Sequence, residues 1–225
     1  VSKLRIAEIF HSIQGEGHWL GVPSTFVRIS GCNLRCVWCD TPYASWSPEG
    51  TNLSLDEIVN EVRHRHVVVT GGEPMLFDPV VELCRRLREQ GRTITIETAG
   101  TVYRDVECDL MSISPKLANS TPVGDAWEAR HERVRRERAP LRKLLAAYEC
   151  QLKFVIANLA DLAEVEDLLQ EVGPVEPERV FLMPEGREPA KVHATARSLV
   201  QACLDRGWRL TPRYQLDLFG DTKGT

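Results

Sequence analysis

The feature that most limits how this chain can fold is an alternation of short β-branched runs with stretches of helical period. Thr25-Phe26-Val27-Arg28-Ile29, His66-Val67-Val68-Val69-Thr70 and Thr93-Ile94-Thr95-Ile96 read as strands. So do Leu110-Met111-Ser112-Ile113, Gln151-Leu152-Lys153-Phe154-Val155-Ile156 and Arg179-Val180-Phe181-Leu182-Met183. Between them Ser54, with Glu57 three residues on, forms a capping box that opens a helix. Asp78 to Gln90 stops at Gly91, Asp161 to Glu171 is similar, and Pro189 to Arg206 closes at Gly207. Alternating strands and helices form βα units around a mainly parallel sheet. About six units are visible by this pattern, fewer than a closed barrel needs. The expected fold is α/β, an incomplete and open βα barrel.

With 225 residues, 43% of them hydrophobic and 27% charged, the chain can bury a real core, and a single domain spanning 1–225 is expected. Asp125 to Tyr148 departs from the pattern: Arg130, Arg133, Arg135, Arg136, Arg138 and Arg142 make it a charged helical insertion near 120–150, read as a solvated face. A net charge of -4 argues against a nucleic-acid partner, since such binding comes largely from phosphate neutralisation. No apolar run is long enough to span a membrane, and Val1-Ser2-Lys3-Leu4-Arg5-Ile6 lacks the marks of a signal peptide. A cytoplasmic location is expected.

Of seven cysteines, Cys32, Cys36 and Cys39 fall within eight residues, which marks metal ligands or catalytic groups rather than disulfides in a cytosolic chain. Cys84, Cys108, Cys150 and Cys203 are scattered and read as small apolar residues. The triplet follows a strand, where βα barrels place chemistry. Structural zinc wants four protein ligands and would have to borrow one. An iron–sulfur cubane held by three thiolates keeps one iron open for a small molecule. The triplet alone favours iron–sulfur and leaves zinc open. A second strand, His66–Thr70, runs into Gly71-Gly72-Glu73-Pro74, whose glycines allow close backbone approach and whose Glu73 offers an acceptor to an ammonium group.

C-x3-C-x2-C followed by Gly-Gly-Glu-Pro resembles the radical S-adenosylmethionine (SAM) superfamily. Phe10-His11-Ser12-Ile13-Gln14-Gly15-Glu16-Gly17, Phe26 to Gly31, Asp40-Thr41, Ile96 to Gly100, Ile113-Ser114-Pro115-Lys116 and Leu152 to Ile156 follow in order. In that order and spacing they resemble the 7-carboxy-7-deazaguanine synthases, ring-contracting enzymes of queuosine and deazapurine biosynthesis. The resemblance implies a barrel of the radical SAM type and a 4Fe-4S cluster on Cys32, Cys36 and Cys39. It implies SAM held by Trp38, Cys39, Asp40, Gly72, Glu73, Thr98, Ser114, Pro115 and Lys116. The substrate it implies is 6-carboxy-5,6,7,8-tetrahydropterin, met by Ile13, Gln14, Gly15, Glu16, Arg28, Thr70 and the Thr225 carboxylate, with Mg2+ on Thr41. Arginine suits a carboxylate through two parallel hydrogen bonds, and a threonine hydroxyl is a hard oxygen ligand. Each has a plainer reading: Arg28 as a surface ion-pair residue, Glu16 as solvated, Thr41 as a turn cap, Lys116 as a surface lysine. The implied reaction takes hydrogen from C6 of the pterin, contracts the ring, returns the hydrogen so that SAM is regenerated, and loses ammonia. No side chain is assigned as acid or base. A homodimer and reduced flavodoxin or ferredoxin as electron donor are also implied.

Two rivals remain: a glycyl-radical-enzyme activase, which shares the cysteine spacing, and a non-enzymatic zinc or iron–sulfur module docking through its arginines. Metal analysis of the purified chain separates them. Iron with sulfide and a spectrum that changes on adding SAM is the expected result; zinc without sulfide would establish the module.

Overall fold

The computed structural model describes residues 2–225; Val1, where the stretch read for a targeting signal begins, lies outside them. The chain opens with β1 (Lys3–Ile13), which the sequence reading passed over although its first residues alternate exposed Lys3 and Arg5 with buried Leu4 and Ile6. β1 runs antiparallel to both β2 (Pro23–Ile29) and β3 (Thr51–Ser54). Helix α1 (Leu55–Asn60) starts with the expected capping box of Ser54 and Glu57. Then β4 (His66–Gly71), helix α2 (Pro79–Glu89), β5 (Thr93–Thr98) and β6 (Leu110–Ile113) continue the sheet. Helices α3 (Glu128–Arg135) and α4 (Ala139–Ala147) occupy the charged stretch. They precede β7 (Cys150–Ile156), α5 (Asp161–Val172), β8 (Val180–Pro184), α6 (Pro189–Arg206), β9 (Arg209–Leu210) and α7 (Tyr214–Phe219).

The nine strands form one open sheet in the order β3-β1-β2-β4-β5-β6-β7-β8-β9, parallel from β2 onward. All of β7 and β8 is buried, as expected of parallel strands covered on both faces. The six expected strands are β2 and β4 to β8. One crossover carries no helix: between β5 and β6 the Arg104 guanidinium bonds the Met75 and Leu76 carbonyls, and Tyr148 Oη bonds both the Arg104 carbonyl and the Val106 amide. Among the described residues no helix is long and apolar enough to cross a membrane.

The charged stretch is not uniformly solvated. Arg130, Arg133 and Arg136 are exposed, but the Arg135 side chain is 1% exposed and paired with Glu132 at 2.5 Å and Glu164 at 2.6 Å. His131 is buried beside it. An arginine count cannot tell which turn of a helix faces inward. Cys84 packs with Val80, Leu83 and Leu87 on the buried face of α2, as its apolar reading requires.

One backbone seam sets the upper end of the sheet. The Gly72 amide donates to Ile29 O at 3.0 Å, the Glu73 amide to Gly31 O at 2.9 Å, and the Gly31 amide to Ala44 O at 2.8 Å. A Cβ on Gly72 would stand 2.2 Å from Gly31 O and 2.6 Å from Ala44 O, and one on Gly71, at φ 136°, 1.9 Å from Ile29 O. The glycines therefore serve close approach to the chain's own backbone, at Ile29 and at the root of the cysteine loop, in addition to any approach to a ligand. Gly72→Ala should cost on the order of 2 kcal/mol or more, because backbone must shift. Urea unfolding checks this, and an unchanged unfolding midpoint would refute it.

Candidate active site

Parallel strands present paired residues on a common face. The register pairs Arg28 with Thr70 and Glu97 with Ser112. These four, with Lys153, line one cavity of about 510 Å³ at the upper end of the sheet. Their chain neighbours Ile29, Ile96, Ile113, Leu152 and Phe154 turn into the apolar core. The loop after β2 brings Cys32, Cys36 and Cys39 to the same cavity, and all three are free thiols. Cys39 Sγ lies 3.1 Å from Ser45 Oγ and 3.8 Å from Thr41 Oγ1. Burial pushes the thiol of Cys32 up to about 11 and that of Cys36 up to about 12, so metal binding must release protons. Among the described residues no three Cys, His, Asp or Glu side chains converge on one ion. Three thiols facing one cavity without closing on a point suit a cluster, whose thiolates bind separate irons, better than a zinc tetrahedron.

Trp38, Asp40, Thr41, Gly72, Thr98, Ser114 and Lys116 line the cavity. Lys116 Nζ donates to both the carbonyl and the hydroxyl of Ser114 at 2.8 Å and stands 5.6 Å over the Trp38 ring. Glu73 and Pro115 do not line it. Glu73 is 0% exposed and accepts from Thr98 Oγ1 at 2.8 and 2.9 Å, the Ala99 amide at 2.8 Å and the Met75 amide at 3.1 Å. Burial leaves its pKa raised, although these bonds pull against the shift. Its oxygens tie the ends of β4 and β5 together; three donors do not exhaust the acceptor sites of a carboxylate, so the reading of Glu73 as an acceptor for an ammonium group stays a proposal. Pro115 is buried behind its neighbours.

Ile13, Gln14, Gly15, Glu16, Arg28, Thr70 and Thr225 all reach the cavity, together with Tyr43, Glu97, Lys153, Arg213 and Gln215, which the sequence reading did not single out. Glu16 accepts from Lys153 Nζ and, at 2.7 Å, from Gln215 Nε2, with Arg213 Nε 3.5 Å away. Lys153 also faces Glu97 at 3.9 Å, and Glu97 accepts from Thr70 Oγ1 at 2.8 Å and Gln14 Nε2 at 3.2 Å. Arg213 reaches Asp40 as well. Arg28 Nε and Tyr43 Oη share Glu8 Oε1 at 2.6 and 2.7 Å. A lysine inside the apolar run Leu152 to Ile156 was the available signal for Lys153, and Glu97 at the end of a strand is similar. Arg213 and Gln215 carry no such signal, since they arrive on and beside α7 from 197 and 199 residues along the chain from Glu16.

Burial alone would raise the Glu16 pKa, but Lys153 and Arg213 outweigh it and hold the carboxyl at about 2. A depressed carboxyl stabilises the fold above its ordinary value of 4.5 and loses that contribution as pH falls towards 2. Lys153→Met should cost on the order of 3 kcal/mol at neutral pH, the penalty for stranding a buried charge. The loss of stability between pH 7 and pH 3, followed by chemical denaturation, should also be smaller in the variant; an equal loss would refute the assignment.

The Radical SAM superfamily model matches residues 26–149. The 7-carboxy-7-deazaguanine synthase of Halobacterium salinarum is 43% identical over 99% of this chain and 93% of its own length. That of Pyrobaculum aerophilum is 34% identical over 99% and 97%. The crystal structure of QueE from Escherichia coli aligns with a TM-score of 0.70 at 25% identity, covering 93% of each chain. Neither rival reading, activase or metal-binding module, agrees with these relatives. Three free thiols on one cavity of an open parallel sheet, and likeness along nearly the whole chain, lead to one conclusion: the chain belongs to the 7-carboxy-7-deazaguanine synthase family of radical SAM lyases, a membership that implies a 4Fe-4S cluster and SAM.

Proposed function

We propose that the cavity binds 6-carboxy-5,6,7,8-tetrahydropterin and that the chain converts it, with Mg2+, to 7-carboxy-7-deazaguanine and ammonia in queuosine or deazapurine biosynthesis. The observation that carries this reading is the group of buried Lys153 with partly buried Glu16 and Glu97, with Gln14 and Thr70, in the same cavity as the three thiols. A flat heterocycle with N–H donors and a carboxylate needs such a fixed mixture of acceptors and cations.

Cys32, Cys36 and Cys39 hold the cluster in this reading, and Trp38, Cys39, Asp40, Gly72, Thr98, Ser114 and Lys116 hold SAM, with Glu73 and Pro115 beside them. When bound and reduced, cluster and SAM together supply the radical that takes hydrogen from the substrate. The residues do the rest. Lys153 keeps its proton between two carboxylates, and so keeps Glu16 an ionised acceptor for the N–H edge of the pterin, beside Ile13, Gln14 and Gly15. Glu8 takes the Nε edge of Arg28, so a substrate carboxylate would meet its terminal nitrogens. Thr70 orients Glu97. Thr41 Oγ1 offers Mg2+ a hard oxygen beside the cysteine loop. Gly220 to Thr225 line the cavity, so Thr225 meets the substrate and the segment excludes water over it. The chain acts as one domain over 1–225, as a cytoplasmic homodimer, with reduced flavodoxin or ferredoxin as donor.

An anaerobic assay of the reconstituted chain with SAM, reductant, Mg2+ and the pterin, read by mass spectrometry, should yield 7-carboxy-7-deazaguanine without stoichiometric loss of SAM. Chelating Mg2+ should slow it, and Glu16→Gln should lower kcat/KM by about a hundredfold, since a site built to bind N–H groups discriminates strongly. Cleavage of SAM with the pterin untouched would make the substrate wrong.

A further inference from the structure

Helix α3 plays no part in the chemistry above, yet it is fastened to the loop that carries the thiols. His131 is 0% exposed. Its Nδ1 accepts the Arg35 amide at 3.0 Å, and its Nε2 lies 2.9 Å from Ser120 Oγ. Ser120 gives its own hydroxyl proton to Leu117 O at 2.6 Å. The ring proton therefore sits on Nε2, and the Nδ1 lone pair is left for Arg35. Ser120 O takes the Val37 amide at 3.0 Å, so the loop is held on both sides of Cys36.

The same helix fixes a charge. Arg35 stands between Cys32 and Cys36, and only 8% of it is exposed. Its guanidinium lies 4.0 Å from the Trp127 ring centroid and donates to Cys32 O at 2.9 Å and Leu34 O at 2.7 Å. Arg130 stacks on the same ring at 4.6 Å, adding like charge. The partners of Arg35 are thus carbonyls and a ring, not a carboxylate. A cation buried without a counter-ion is costly, and three thiolates with an anionic cluster would supply one.

We propose that Arg35, held in place by Trp127 and His131, is a tuning cation for the iron–sulfur cluster, favouring its more negative, reduced form. The proposal rests on the reading that Cys32, Cys36 and Cys39 carry the cluster. Cluster potentials respond to local charge and to hydrogen bonding near the sulfurs. No bond forms or breaks: one electron enters from an external reductant, and a fixed positive charge eases its arrival. The charged insertion then has a task inside the enzyme, apart from anything its exposed arginines do.

The test is a redox titration with dithionite of the full-length reconstituted chain without SAM, followed by electron paramagnetic resonance. Iron and sulfide are assayed in every sample, with Cys36→Ala as control. Arg35→Met should shift the equilibrium about tenfold towards the oxidised cluster, which for one electron is about 59 mV more negative. Arg35→Lys should recover at least half of that shift, which a purely structural role would not do. Trp127→Leu, which leaves residue 35 and its carbonyl bonds in place, should move the potential the same way by less. An unchanged potential in a fully loaded Arg35→Met chain overturns the proposal, as does an equal shift in Arg35→Lys. Should Arg35→Met fail to take up cluster, Trp127→Leu decides, and an unchanged potential there is a refutation. If the unsubstituted chain itself takes up no iron and sulfide, the cluster reading fails and this proposal falls with it; a loaded chain with unmoved potentials refutes the tuning alone.

Discussion

The seam between the end of β2 and the Gly71-Gly72 turn is the constraint on which the rest depends. Amides of Gly72 and Glu73 bond the carbonyls of Ile29 and Gly31, which joins the root of the cysteine loop to the end of the neighbouring strand. No side chain fits between them. Glu73 extends the tie to β5 through Thr98 and Ala99. Three strand ends are thereby locked in one arrangement before any ligand arrives, and a loop with little regular structure of its own takes a defined course. Preorganisation of this kind leaves less ordering to be done when a ligand binds.

A polar cavity at the end of an apolar sheet carries an energetic cost that this protein meets by pairing. Glu16, Lys153, Glu97, Arg213 and Asp40 form a chain of alternating sign. Each charge is offset by a neighbour, so burial does not neutralise the group: Glu16 stays ionised against its own desolvation. Residues on and beside α7 close the chain of charges, since Gln215 and Arg213 come from there and the Tyr214 amide caps Gly15 O at 3.0 Å. The two ends of the chain thus build one wall of the cavity together.

The arginine-rich stretch shows why composition is a poor guide to role. Arg135 is a buried anchor, paired with Glu132 and Glu164, whereas Arg133 and Arg136 face outward. His131, one turn from Arg135, meets the backbone of the cysteine loop. A helix that looked like a solvated addition is half surface and half internal strut.

Local features were legible in the sequence because their causes are local. The six parallel strands followed from β-branched runs, α1 from the Ser54–Glu57 capping box, and the end of α6 from Gly207 at φ 68°. The cysteine spacing and the Gly-Gly-Glu-Pro turn pointed to the cavity, and most of the residues named from them do line it. Strand β9 has two residues and β3 has four; such short strands exist only because a neighbour pairs with them, so no pattern announces them. The direction of Glu73 likewise depended on Thr98 and Ala99, 25 and 26 residues away. Which of the charged residues at 16, 97, 153 and 213 would meet was decided by strand register and by the return of α7. Contacts of such long separation are set when the chain closes on itself and leave no trace in the spacing of neighbours.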